Sequence, residues 1–430
     1  MRNKITHIIY KVIICLSIVL AATSCELTRI GGTPDHYDKA MLLYSAGYNN
    51  LASYLRGDIE ELKRGSLPTL RDENVVLVYS HFPSSGYNTP TSPTLIRLSC
   101  RKDKSVAVDT LVTFPSESIS ASAEQLESVL NYVKETFPAQ SYGMVFSSHA
   151  TGYLPAGFYQ NSEGDSDNLV EWSSIIGRKR TAVPYVEPEY DPSLPMVKSI
   201  GQDQVGVHGD FLSYEINLTD FADAIPMYLD YILFDACLMG GIEVAYELKD
   251  KVGKVGFSQT EVLADGFCYE SLTTHLFSDA GPDLEGVCID YFNQYENQEG
   301  VYQSATISLI DCTQLGPLAE ECSILFSKYP EELSKVDHNN VQRFYRSGKH
   351  WFYDLESILV NAGINEEELN ILHEALDACV IYKAHTPMFM SDFEIHTFCG
   401  FSMYLPSHGS ENLNTFYRTL KWNQDTGLVN

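Results

Sequence analysis

The stretch YILFDACLMGG, residues 231–241, decides how the rest of the chain is read. An apolar run without alternation describes a strand covered on both faces, as in a parallel sheet. This one ends in Asp235, Ala236 and Cys237 and meets a glycine pair at once. A strand that only filled a core would need neither an acid nor a thiol at its tip. In open α/β sheets, ligands bind beyond the carboxyl ends of the strands. The run therefore reads as a sheet strand whose C-terminal end carries chemistry.

Working outward, GMVFSSHA (143–150) is a second such strand, and it ends in His149. Residues 41–44, 73–82, 94–100 and 253–259 read as further strands. Leu51, Leu55, Ile59 and Leu62 follow helical spacing, as do Leu126, Val129, Leu130 and Val133 in a helix that Ser120 or Ser122 can cap. LTDFADAIP (218–226) predicts a helix, and GGIEVAYELKDKVG (240–253) an amphipathic one starting near Met239. Strands alternating with helices predict an α/β fold with a mostly parallel sheet covered on both faces.

Between 151 and 219 glycine, proline, serine and charged residues take over, and a loop this long inside a domain is functional or disordered. From about 281 the spacing predicts helices near 282–297 and 312–328 and strands at 304–311 and 396–406. The expected organisation is a leader at 1–24, a linker at 25–37, a domain at 38–280 containing the 151–219 excursion, and a C-terminal region at 281–430 packed on the sheet.

The 430 residues carry 29 basic and 57 acidic side chains, a formal charge of −28. That balance repels nucleic acid and anionic lipid, so phosphate-backbone binding is excluded as a leading idea. Hydrophobic residues make up 44%, enough for a large core.

At the N-terminus Arg2, Lys4 and Lys11 precede the apolar run 12–22 and then TSC ending at Cys25. Basic flank, short apolar core and small residues describe a secretory signal. AATSC also resembles a bacterial lipobox, which would make Cys25 the lipidated first residue, with the outer membrane of a Gram-negative cell envelope as the expected site. Loss of 1–24 leaves 26 basic against 57 acidic residues, a net −31. More than one acyl chain gives stable anchoring.

Ten cysteines include no CxxC pair, so a zinc site is not expected, and most read as buried small hydrophobes. EGDSD (163–167) lacks the spacing of an EF-hand loop; no cofactor is expected, and a calcium requirement stays open.

Neighbouring parallel strands would bring His149 and Cys237 together at one sheet edge although they are 88 positions apart. An imidazolium and a helix N-terminus beside a thiol favour thiolate, the form that attacks carbonyls. Taken singly, a histidine at a strand end is more often structural, and a cysteine in an apolar run more often core. The paired placement is what argues for function.

FDACLMGGIEVAYEL (234–248) resembles the nucleophile motif of the clostripain family of cysteine peptidases. VFSSHATGYLP (145–155) resembles that family's histidine motif, MLLYSAGYNNLASYL (41–55) its first strand and helix, and FSQTEVLADGFCYESL (257–272) the segment after the next strand. The resemblance spans roughly 38–275 and is strongest around Cys237. It implies a caspase-like α/β/α sandwich with an additional C-terminal region, and a Cys237–His149 dyad. The backbone N–H groups of Cys237 and Ala150 would face the oxyanion. It further implies a preference for Arg or Lys before the scissile bond, with Asp235 and Asp265 as acids of the specificity pocket; the plain alternative for each is a solvated or capping acid. Self-cleavage after Arg178, Lys179 or Arg180 is implied as well, against a merely basic surface loop.

The sequence departs from the family at Ala150, where the family usually has glycine, and a positive φ there would be penalised. Tyr153 stands where tryptophan is frequent. The expected function is an exported cysteine endopeptidase acting on proteins or peptides. The rival is a surface lipoprotein that keeps the fold as a non-catalytic binding module. A serine hydrolase using Ser147 or Ser148 is a weaker third reading, since no G-x-S-x-G elbow is present.

Overall fold

The structure, a computed structural model, describes residues 33–84, 91–158, 181–184, 194–197, 203–207, 210–346 and 350–430. Its centre is a nine-stranded sheet. In chain order the strands are β1 (Tyr37–Ala46), β2 (Asn74–His81), β3 (Thr94–Cys100), β4 (Val106–Thr113), β5 (Ala139–Ser147), β6 (Leu229–Asp235), β7 (Val252–Phe257), β8 (Thr306–Asp311) and β9 (Val380–His385). Across the sheet they run β9-β8-β7-β6-β5-β1-β2-β3-β4.

The five strands from β7 to β2 are parallel to one another. They are the continuous apolar runs, and in β6 every residue except Asp230 is buried. An antiparallel pair closes each side, β3–β4 at one edge and β8–β9 at the other. The chain moves one way from β1 to β2 and the other way through β5, β6 and β7. Right-handed crossovers therefore put the helix Ala52–Arg64 on one face and the helices Ala123–Thr136, Leu218–Asp223 and Ile242–Leu248 on the other. Ser122 caps the second of these, its side chain accepting from the Gln125 N–H.

Three features differ from the sequence reading. The C-terminal region is part of the sheet as well as packed on it, because β8 and β9 are drawn from it. The strand expected at 396–406 shrinks to Ser402–Met403, since Gly400 turns the chain with φ +107° just before it. The helix expected from Met239 begins at Ile242 and is buried at all seven positions, so it is not amphipathic. Its acids are covered from afar: Glu243 accepts from Tyr404 N–H and Tyr417 O–H, and Glu247 accepts from Lys421 N–H.

The described parts of the 151–219 excursion include a small antiparallel sheet of Thr181–Pro184, Asp210–Glu215 and Asp203–Val207, with Asp210–Glu215 in the middle. Among the described residues no cysteine is in a disulfide, and six of the eight present are buried. No described helix is long and apolar enough to cross a membrane. The leader with Cys25, the acidic 163–167 stretch and Arg178, Lys179 and Arg180 lie outside the described residues.

Candidate active site

β5 and β6 pair in parallel with Ser147 opposite Asp235. His149 and Cys237 therefore leave adjacent strands at the same level, two residues past the last paired rung. Both are covered in the intact chain, Cys237 at 0% and His149 at 5% exposure.

Cys237 sits in a tight turn. Leu238 directly after it holds φ +61°, a left-handed conformation that costs a branched residue roughly 1–2 kcal/mol. The loop after β7 offsets that strain. Thr260 C=O accepts the Leu238 N–H at 2.9 Å, and Ser258 C=O accepts the Gly240 N–H at 2.7 Å. The Val262 N–H donates to Cys237 Sγ at 3.0 Å. Because the amides at 238 and 240 are committed to this loop, helical geometry starts only at Ile242. A donor to the thiol thus comes from a neighbouring loop, where the sequence suggested the helix N-terminus.

His149 Nε2 lies 2.6 Å from Asn50 Oδ1, on the loop after β1. With the amide oxygen facing it, Nε2 is the donor of that hydrogen bond. The turn after His149 is braced by Gly152, whose φ is +62°; a Cβ there would meet Leu238 O at 2.5 Å. Tyr153 O–H donates to Trp351 C=O at 2.7 Å. Ala150 is not among the described non-glycine residues with positive φ, so its methyl carries no left-handed strain.

The two candidate acids are placed differently. Asp235 is fully buried and accepts from Ser147 O–H at 2.9 Å and Tyr269 O–H at 2.6 Å. Burial, and next the negative charge of Asp235, push the Tyr269 hydroxyl well above its ordinary range. Asp265 is exposed, on the loop leaving the site. Ser147 and Ser148 are buried donors, the second to Ala46 C=O at 2.8 Å, so neither stands out as an exposed nucleophile.

Two described parts of the chain reach this loop from a distance. Val197 forms an antiparallel bridge with Leu263, and Ala264 N–H donates to Met196 C=O at 2.9 Å. Glu261, at 1% side-chain exposure, takes a bidentate pair from Arg346: Nε to Oε2 at 2.5 Å and Nη2 to Oε1 at 2.9 Å. Asn50, Val262, Glu261 and Arg346 were not picked out from the sequence. For Asn50 and Glu261 a polar residue in the loop after a strand was the only signal, and many loops share it; Val262 acts through its backbone and Arg346 through a tertiary pairing, so neither had one. Among the described residues no group of three histidines, cysteines or acids is placed to hold a metal ion.

The model of the clostripain family matches residues 43–164 and 188–427. A C11 protease from Parabacteroides distasonis, solved as an inactive zymogen, is 25% identical with a TM-score of 0.71 over 91% of this chain and 99% of that one. The secreted C11 cysteine protease iotapain of Bacteroides thetaiotaomicron is 23% identical, with a TM-score of 0.70 over 91% and 100%. A secreted C11 cysteine protease of the same organism, bound to an irreversible peptide inhibitor, gives 22% and 0.69 over 91% and 99%. These last two likenesses concern the fold. No curated protein matches the sequence.

Proposed function

We propose that this chain, which belongs to the clostripain family, is an exported cysteine endopeptidase that cuts after Arg or Lys. The observation that carries the reading is the Ser147–Asp235 register, which delivers His149 and Cys237 side by side at the carboxyl edge of a parallel sheet. Cys237 Sγ attacks the scissile carbonyl carbon, and the N–H groups of Cys237 and Ala150 receive the developing oxyanion. His149 protonates the leaving amine. Water then hydrolyses the thioester and restores the thiol.

The preference for a cation before the scissile bond is supported by Asp235, a carboxylate at 0% exposure on the nucleophile's own strand. Asp265 is the weaker second acid because it is exposed. Export and lipid attachment at Cys25 rest on the N-terminal sequence, and one structural relative is a secreted protein.

The intact chain reads as a latent precursor. Its dyad is covered, and residues 194–197, downstream of Arg178, Lys179 and Arg180, pair with the loop that holds the thiol. Self-cleavage in 178–180 would free that segment to leave the site.

Fluorogenic peptides ending in Arg, Lys or Ala test the reading, with Cys237→Ala as the control. Cleavage after Arg or Lys that vanishes in the variant is expected. Cleavage after Ala alone removes the basic pocket. Silence that persists after trypsin cuts the 178–180 segment removes catalysis and leaves the binding module.

A further inference from the structure

We propose that the Glu261–Arg346 ion pair is a positioning element for the Cys237 thiolate, acting through the Val262 amide; this deepens, and rests on, the peptidase reading above. The loop that follows β7 is used from two sides. Backbone groups of Ser258, Thr260 and Val262 face the nucleophile turn, taking the N–H of Gly240 and Leu238 and giving one N–H to Sγ. The side chains between them are held by the C-terminal third. Gln259 Nε2 donates to Gly400 C=O at 2.7 Å and Ser308 Oγ at 3.1 Å, and Glu261 takes Arg346.

Hydrogen bonding to a charged form favours that form, so the Val262 N–H at 3.0 Å supports the thiolate only while it stays on Sγ, against the Val262 C=O, which accepts from the neutral thiol at 3.7 Å. Val262 is the residue next to Glu261, and a bidentate fork fixes both the position and the tilt of the carboxylate. Arg346 is the only cation paired with Glu261 among the described residues. The partnership pushes the guanidinium pKa up further. Surface pairs contribute little, but this carboxylate is out of water, and removing its partner leaves a buried charge unpaired. The charged and titratable groups around Cys237 are His149 on the adjacent strand end, Asp235 on its own strand, Tyr291 on the helix Leu284–Glu296, and this pair.

The test separates position from charge. Arg346→Met, Glu261→Gln and the double variant are made in the full chain. The thiolate is titrated by ultraviolet difference absorbance against the same chain carrying Cys237→Ala, which needs neither a reagent reaching the sulfur nor turnover. If the pair positions the amide, both single variants raise the thiol pKa by about one unit, a tenfold loss of thiolate below it. The double variant goes no further than the worse single one. The rate constant kcat falls with it while KM holds, and Arg346→Lys recovers part of the loss.

If the pair acts only by charge, the shifts have opposite signs: up when the cation is removed, down when the anion is. That result overturns the proposal, as does an unchanged titration with a lowered Tm. Silence of the wild-type chain on peptides sinks the peptidase reading alone, and the titration then decides positioning by itself.

Discussion

Glu243→Gln should make the protein more stable at alkaline pH and change it little in acid. Glu243 is wholly buried in the helix after the nucleophile turn, and burial raises its carboxyl from 4.5 to about 7 against the lowering effect of its Tyr417 and Tyr404 hydrogen bonds. A folded-state pKa above the unfolded one means that the folded chain holds the proton longer. Its stabilising contribution is complete below the unfolded pKa and is lost as pH rises through about 7. Each unit is worth about 1.36 kcal/mol, so the ionised side chain costs on the order of 3 kcal/mol at high pH. Glutamine keeps an acceptor for Tyr404 and Tyr417 but has no proton to lose. Between about pH 5 and about pH 8.5 its offset from wild type should grow by roughly 2.5 kcal/mol. Unfolding entropy near ~2 cal/mol/K per residue over a chain this long turns that into roughly 3 °C in Tm. Calorimetry or urea unfolding at the two pH values reads it. An offset that stays constant with pH would refute the reasoning, because an ionised Glu243 would then cost nothing.

Three other outcomes can be checked. His350, buried and packed on Tyr353, has its imidazole pKa lowered to about 3 by burial and then by Arg343 and other histidines; a depressed base loses stability as pH falls, and His350→Phe should flatten acid unfolding between about pH 6 and about pH 4. Gly152→Ala should lower Tm by the equivalent of at least about 1–3 kcal/mol and cut kcat/KM more than about tenfold, since the methyl meets the Leu238 carbonyl beside the nucleophile. Ala150→Gly should change kcat/KM by less than about fivefold, because that residue shows no positive φ for glycine to relieve; a large gain would contradict the geometry.

The parallel half of the sheet was readable from sequence because strands such as VVLVY and YILF are buried on both faces and therefore unbroken in hydrophobicity. The antiparallel margins were harder. β9, VIYKAH, has no buried residue, and β4, VAVDTLVT, has one, so neither has an apolar run to announce it. The helix Ile242–Leu248 looked amphipathic because Glu243 and Glu247 are polar, and their cover comes from residues more than 150 positions later. The strand tips could be read as the place for chemistry. The groups that surround them could not, because a backbone N–H such as that of Val262 has no side-chain signature, and the Glu261–Arg346 pairing is a tertiary fact.

The bracing of the nucleophile turn by Gly400, Ser402, Tyr404 and Tyr417 has a consequence for the order in which the chain is made. Ribosomes release a polypeptide from its N-terminus, so Cys237 and His149 emerge long before the residues that hold them. Until the final segment arrives, the Gly240 carbonyl, the Gln259 amide and the Glu243 carboxyl around that turn lack their C-terminal partners. A chain still in synthesis therefore holds its two strand tips without their C-terminal braces, and only completion of the polypeptide supplies them.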